Sequence, residues 1–240
     1  MNVRRTERAL LMVLQLALAA LLAATPRSPS RAQERTGARA PFSADERARL
    51  AKGELVTRPV EERRGALRLI GGHAWQVVDA PPDGVWRAML ETKFYPRMLP
   101  AVSGATLVSK DESLRRVKIS HKLGPLGVSY RLAFKLDPAR RDMTFKLNDA
   151  LDSGMQASWG FITAHAYGNK TLIAYGVMAD PGDGLLVGIA RRVMHTWLLR
   201  VPWTMKRFLE GPTGSGLYGY RAQRACEREG NDPHTCAPKQ

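Results

Sequence analysis

The sequence predicts an α+β fold in which a curved antiparallel sheet of about six to seven strands wraps around a long C-terminal helix. Between residues 105 and 180, apolar and polar side chains alternate with a period of two across short turns, which is typical of antiparallel strands. From residue 183 to 212, apolar side chains recur instead at helical spacing and form one wide face. Because that face needs an apolar partner, we expect the helix to pack against the sheet.

The first 32 residues have the organisation of an export signal. Arg4, Arg5 and Arg8 precede an apolar run at 9–24, and Ala32 ends a small-x-small pattern of the kind that signal peptidases cleave. The run is short for a membrane crossing, which needs about 20 apolar residues. We therefore expect an exported protein, periplasmic or secreted, with an uncleaved N-terminal membrane anchor as the alternative.

The chain is strongly basic, with a formal net charge of +15 over 240 residues. Such a charge favours contact with anionic lipid headgroups, acidic polymers or nucleic acid. Export makes nucleic acid the least favoured of these, so we expect no nucleic-acid partner and keep an anionic membrane surface as a candidate. The oligomeric state is left open.

Residues 33–64 are predicted to be a leader with one short helix. Ser43 and Glu46 have the spacing of a capping box, and Gly53 is suited to end a helix at 44–52. The long domain then spans residues 65–211.

Residues 212–240 are rich in glycine and polar residues and are predicted to be a flexible tail. Cys226 and Cys236 are the only cysteines, and in an oxidising compartment they would close a small disulfide loop. A metal site is disfavoured, because His234 is the single nitrogen ligand nearby. We expect neither a metal nor a cofactor.

The domain begins with a strand at 67–79, in which Gly71 and Gly72 suggest a bulge. Prolines 81 and 82 with the apolar stripe that follows predict a helix, and residues 94–99 predict a second short helix that ends at Pro100.

The strand meander follows, and one set of alternating residues in each strand is apolar. In the strand at 155–167 we assign Trp159, Phe161 and His165 to the apolar, concave face because they share one phase. In the long helix, Pro202 removes a backbone hydrogen bond and predicts a kink nearby.

Four stretches of local sequence support this plan: residues 78–86, residues 94–100, residues 159–161, and Tyr175 with residues 180–182. Together with the element order, they resemble the START-like superfamily and its helix-grip fold, most of all the polyketide cyclase/dehydrase and coenzyme-Q-binding branch. The resemblance covers residues 65–211. It implies a cavity between sheet and helix that holds a lipid, an isoprenoid or a polyketide-like molecule.

The residue pattern alone allows an alternative, in which the interior is filled by its own side chains. If a cavity is present, the side chains assigned to its ligand are Tyr95, Ile119, His121, Tyr130, Leu132, Phe134, Phe145, Trp159, Phe161, Ala190, Val193, Met194 and Trp197.

We expect a carrier of a hydrophobic small molecule rather than an enzyme, because the chain shows no familiar catalytic set. The first alternative is a polyketide cyclase or aromatase in which His121 or His165 moves protons. The second is a module for anionic membrane surfaces that uses Trp203 and the arginines of the long helix.

Overall fold

A computed structural model describes residues 41–123, 126–182 and 194–232. One antiparallel sheet contains eight strands, in the order β1-β2-β8-β7-β6-β5-β4-β3. The strands are β1 (Val56–Arg64), β2 (Leu67–Val78), β3 (Val102–Lys110), β4 (Leu114–Leu123), β5 (Leu126–Asp137), β6 (Asp142–Asp149), β7 (Ala157–Tyr167) and β8 (Lys170–Asp180). The α-helices whose two ends both lie in the described ranges are α1 (Ala44–Ala51), α2 (Pro82–Leu90), α3 (Tyr95–Met98), α4 (Val201–Glu210), α5 (Pro212–Tyr218) and α6 (Tyr220–Arg228).

The strand order brings β2 beside β8, although the whole meander separates them along the chain. The short helices α2 and α3 carry the chain from β2 to the far edge of the sheet, where β3 begins. Each later strand pairs with its predecessor until β8 returns to β2. The main core lies between the inner face of this sheet and helices α2, α3 and α4.

The eighth strand, β1, was missed by the sequence analysis, which placed it in the leader. Val56 is buried, but most other side chains of β1 are polar and at least partly exposed, so alternation is weak. Pro59 is tolerated because β1 is an edge strand and pairs only with β2.

Gly71 and Gly72 do not form the predicted bulge, because the pairing of β2 with both neighbours continues through them without a shift. Their φ angles of 154° and 127° lie in a region that other residues rarely adopt. A Cβ atom would overlap the carbonyl of Val177 at Gly71 and that of Arg58 at Gly72. The two glycines therefore permit close strand packing at this position.

The capping box of α1 is confirmed. The Ser43 backbone N–H donates to the Glu46 carboxylate at 2.8 Å, and the Glu46 N–H donates to the Ser43 hydroxyl at 3.1 Å. Arg58 also binds Glu46 at 2.7 Å, and this bond lowers the pKa of the carboxyl to about 2. Helix α1 thereby covers the outer face of β2, where Leu50 packs with Trp75 and Val77.

The C-terminal helix is described only from residue 194, so the first part of the predicted helix at 183–212 lies outside the described residues. Residues 194–199 are helical, and α4 begins at Val201 after an interruption at Arg200. Pro202 lies in the first turn of α4, which agrees with the kink that it predicts. In the described ranges, no helix has both the length and the hydropathy that a bilayer crossing requires.

The predicted flexible tail instead contains α5 and α6. Tyr218 in α5 is fully buried against Phe94 and Phe208, and this aromatic contact gives the segment an anchor. Sequence reasoning missed it because the glycines in 211–219 suggested a loop. Cys226 is buried in α6. Its expected partner, Cys236, lies outside the described residues, so the disulfide stays a prediction.

The contact between α2 and α5 can be tested at Gly84, where a Cβ atom would overlap the Tyr218 carbonyl. We expect Gly84→Ala to lower the free energy of unfolding by roughly 1–3 kcal/mol, the usual cost of overpacking. Limited proteolysis should then cut the C-terminal segment faster. Gly216→Ala is the control, because nothing lies within 4 Å of its Cβ position in the same segment. Equal stability of the two variants, measured by chemical denaturation, would contradict this packing role.

Candidate functional site

A cavity of about 320 Å³ lies between the inner face of the sheet and the C-terminal helix. Small-molecule sites usually have roughly 300–1,000 Å³, so this space is at the small end of that range. Its wall is made by inner-face side chains of β3 to β8, by α2, α3 and the loop after α3, by the loops that follow β6 and β8, and by residues 194–205. Within the described ranges, the side chains therefore leave space in the interior, unlike the filled interior that the sequence allowed as an alternative.

The structure places nine of the thirteen residues predicted for the ligand at this wall. They are Tyr95, Ile119, His121, Tyr130, Leu132, Phe134, Phe145, Met194 and Trp197. Ala190 and Val193 lie outside the described residues. That the nine contact a ligand remains a prediction.

Trp159 and Phe161 were assigned to the wrong face of β7. The cavity is lined by Ser158 and Ile162, which alternate with them. On the outer face, Phe161 packs near His73 with ring centroids 6.1 Å apart, and the Arg64 guanidinium lies 5.6 Å from the Trp159 ring centroid. Both faces of this strand carry buried apolar residues, so periodicity alone could not identify the inner one.

His165 shares the outward phase of Trp159 and Phe161 and is exposed. Of the two histidines that the sequence offered as proton carriers, only His121 is at the cavity.

Methionines make up a large part of the cavity wall, and sequence reasoning assigned only Met194 among them to the ligand. Six methionines contribute to the wall: Met89, Met98, Met143, Met155, Met194 and Met205. Their flexible thioether chains fit irregular apolar shapes, which suits a wall that must adapt to its contents. Met194 was predicted at the site, and Met89, Met143 and Met205 lay on predicted apolar faces without being assigned to the ligand.

An aromatic row forms one side of the cavity. The ring centroids of Phe134 and Phe145 are 5.9 Å apart, and Phe145 stacks on Tyr175 at 6.2 Å. Gly160 makes room for this row, because a Cβ atom there would overlap the Phe145 ring. Tyr175 was recognised in the sequence only as part of a family pattern.

The polar part of the wall is centred on His121. Its Nδ1 lies 2.9 Å from the Ala101 carbonyl oxygen, and its Nε2 lies 3.0 Å from the Tyr130 hydroxyl. Burial lowers the pKa of His121, although the bond to Ala101 acts in the opposite direction. The ring is therefore neutral at pH 7.

Three tyrosines also line the cavity: Tyr95, Tyr130 and Tyr175. Burial raises the pKa of each phenol well above its usual value, so all three are protonated at neutral pH. The Tyr95 hydroxyl donates to the Met89 carbonyl at 2.9 Å. The site thus combines an apolar wall with uncharged hydroxyl and imidazole groups, an arrangement that can hold an apolar molecule and contact a polar group on it.

No set of three or more His, Cys, Asp or Glu side chains in the described ranges is arranged to hold a metal ion. Outside the cavity, Trp203 is 36% exposed on the solvent side of α4. The guanidinium carbons of Arg207 and Arg200 lie 4.9 and 5.9 Å from its ring centroid.

One solved structure supports the helix-grip architecture, an α+β fold with a large antiparallel sheet. The ZhuI aromatase/cyclase from Streptomyces sp. R1128 aligns with a TM-score of 0.51 and 15% identity, over 68% of this chain and 99% of that one. A STAR-related lipid transfer protein from Xanthomonas axonopodis aligns with a TM-score of 0.45 and 11% identity, over 62% of this chain and 93% of that fragment. At 15% identity, the similarity to the aromatase/cyclase shows a shared fold only.

No curated protein sequence matches the chain at a significant level. A family model does match: residues 78–203 fit the one described as polyketide cyclase / dehydrase and lipid transport. This match runs from the end of β2 into α4 and spans just over half of the 240 residues. The chain therefore belongs to the polyketide cyclase / dehydrase and lipid transport family.

Proposed function

We propose that this protein binds and carries a hydrophobic small molecule, such as a lipid, an isoprenoid or a polyketide-like compound. The observation that carries the proposal is the cavity of about 320 Å³, whose wall is mostly apolar. Burial of apolar ligand surface there contributes about 25 cal/mol per Å². The basic charge and the export signal predicted from the sequence support a carrier that works outside the cytoplasm near anionic lipids.

The proposal is tested by filling the cavity from the middle of β4. Ile119 is buried at the wall, whereas its neighbour Lys118 points outward and is exposed. We expect Ile119→Trp to occupy the space and weaken binding of the neutral fluorescent probe N-phenyl-1-naphthylamine roughly tenfold, about 1.4 kcal/mol. Lys118→Trp should bind the probe as the wild type does. Circular dichroism would confirm that both variants fold.

Mass spectrometry of organic extracts gives the second readout of this test. Wild type and Lys118→Trp should contain a co-purified apolar compound that Ile119→Trp lacks. Equal content in all three proteins, or none after repeated purification from the native host, would contradict the proposal.

A cyclase or aromatase remains the alternative, and the His121–Tyr130 pair at the wall favours it. Neutral imidazole can accept a proton from a substrate, and the family includes cyclases by its description. Extracts distinguish the two functions, because a carrier returns an added ligand unchanged and a cyclase returns a product.

The lowered pKa of His121 predicts that ligand affinity depends on pH. Above pH 6.5 the ring is neutral, and affinity should be constant. As the pH falls through the lowered pKa, the ring gains a charge that an apolar ligand would desolvate, so the affinity should decrease. Titrations with N-phenyl-1-naphthylamine between pH 8 and 5 would measure this.

Two variants separate His121 from the other histidines. His121→Gln should lose much of the acid-dependent decrease, whereas His165→Gln, at an exposed position, should keep it. An unchanged pH profile in His121→Gln would exclude His121 as its origin.

We further propose that Trp203 and its two arginines contact anionic membranes, which would bring the carrier to its ligand. Tryptophan favours the membrane interface, and each basic residue near anionic lipid contributes about 1 kcal/mol. Arg207→Gln should therefore weaken binding to vesicles of phosphatidylcholine and phosphatidylglycerol about fivefold at low salt.

High salt should weaken vesicle binding by the wild type, and Trp203→Ala should reduce it further. Tyr167→Ala is the control, because Tyr167 has a similar exposure of 39% at the turn between β7 and β8. Vesicle flotation that is the same for all these proteins would refute this contact.

A further inference from the structure

The hydrogen bonds that link Ala101, His121 and Tyr130 at the cavity wall limit the polar groups that a ligand can present to Tyr130. We propose that the bound molecule carries a hydroxyl group, as an alcohol or a phenol does, and that Tyr130 recognises it by accepting its hydrogen. This inference rests on the proposed function, because it concerns the ligand of the same cavity.

The first step is the position of the hydrogen on His121. A carbonyl oxygen can only accept, so the 2.9 Å contact with Ala101 requires the hydrogen to be on Nδ1. In a neutral imidazole the other nitrogen then has a lone pair and no hydrogen. The 3.0 Å contact between Nε2 and Tyr130 is therefore donated by the tyrosine hydroxyl.

The second step is the consequence for Tyr130. A phenol has one hydrogen, and here that hydrogen is used in the bond to His121. The remaining lone pairs of the oxygen can only accept. Since Tyr130 lines the cavity, it presents an acceptor rather than a donor to the ligand.

The backbone at Ala101 fixes the direction of these two hydrogen bonds. Ala101 has a φ of 57°, a left-handed conformation that is uncommon for a residue with a side chain. The next residue, Val102, pairs with His121 in the β3–β4 ladder, and the register shifts directly after it. The carbonyl that orients His121 is thus fixed by the start of β3, and the rings of His121 and Tyr130 stack at 5.5 Å.

Tyr175 supplies the complementary group. It is 6% exposed and lines the same cavity, and its hydroxyl has no hydrogen-bond partner among the described residues. A buried hydroxyl normally finds a partner, so its hydrogen is available for the ligand. Burial raises the pKa of Tyr175, with a smaller contribution from Tyr130 on the same wall, so the phenol keeps its hydrogen.

A ligand hydroxyl satisfies both tyrosines, because its oxygen accepts from Tyr175 while its hydrogen is donated to Tyr130. A ketone or an ether of the same size can accept from Tyr175 but has no hydrogen for Tyr130. The oxygen lone pairs would then face each other, and one buried acceptor would remain unsatisfied.

The experiment compares three ligands of matched size: 1-dodecanol, 2-dodecanone and 1-methoxyundecane. Each competes with N-phenyl-1-naphthylamine for the full-length protein at pH 7.5. We expect the wild type to bind the alcohol about tenfold more tightly than the ketone or the ether, the ratio that one hydrogen bond gives.

Variants assign this preference to its origin. Tyr130→Phe should remove most of the alcohol preference, whereas Tyr175→Phe should weaken the alcohol and the ketone alike and keep their ratio. His121→Phe keeps a ring against Tyr130 but frees the tyrosine hydrogen, so the ketone should gain relative to the alcohol. Retained binding of N-phenyl-1-naphthylamine shows that each variant is folded.

Equal affinity of the wild type for all three ligands would overturn the inference and leave the carrier function in place. So would an alcohol preference that survives in Tyr130→Phe. Loss of all binding by the wild type, including that of N-phenyl-1-naphthylamine, would overturn the carrier function as well.

Discussion

The pairing of β2 with β8 is the contact on which the rest of this structure depends. It joins the strand that enters the domain to the strand that ends the meander, and so closes one sheet around the inner core. Gly71 allows the Val177 carbonyl of β8 to approach closely, and Gly72 and Gly176 give similar room to Arg58 of β1 and to the Phe161 ring of β7. Residues 194–205 form the wall opposite the sheet, and space remains between the two.

Much of the fold could be predicted wherever a pattern is local. The capping box at Ser43 needs only two residues three positions apart, and β4, β5 and β6 have one apolar face each. Prediction failed where tertiary contacts bury apolar residues on a face that the sequence pattern alone does not identify. Helix α1 covers the outer face of β2, and Phe161 is buried on the outer face of β7, so an apolar residue no longer marks the inside. Tyr218 is buried by residues that are distant in sequence.

The candidate site also has one part that could be predicted from the sequence and one part that could not. Its apolar wall followed from alternation, because residues such as Ile119, Leu132 and Phe134 face inward by strand periodicity alone. The polar chain could not be derived in this way. It depends on the carbonyl of Ala101, which is 20 positions before His121 and is placed by an unusual backbone angle. The direction of each hydrogen bond, and with it the chemistry offered to a ligand, exists only in the folded structure.

The closing pair of strands also has a consequence for how the chain reaches this state. Val78 at the end of β2 pairs with Thr171 in β8, so this contact closes a loop that contains the whole meander. Closing so long a loop costs conformational entropy before the contacts between β2 and β8 form. We therefore expect this pairing to be slower than the formation of local hairpins. Until then β2 has an open edge, to which a strand of another molecule could add. Assembly of this domain is therefore exposed to mispairing at the edge of β2 until β8 has paired with it.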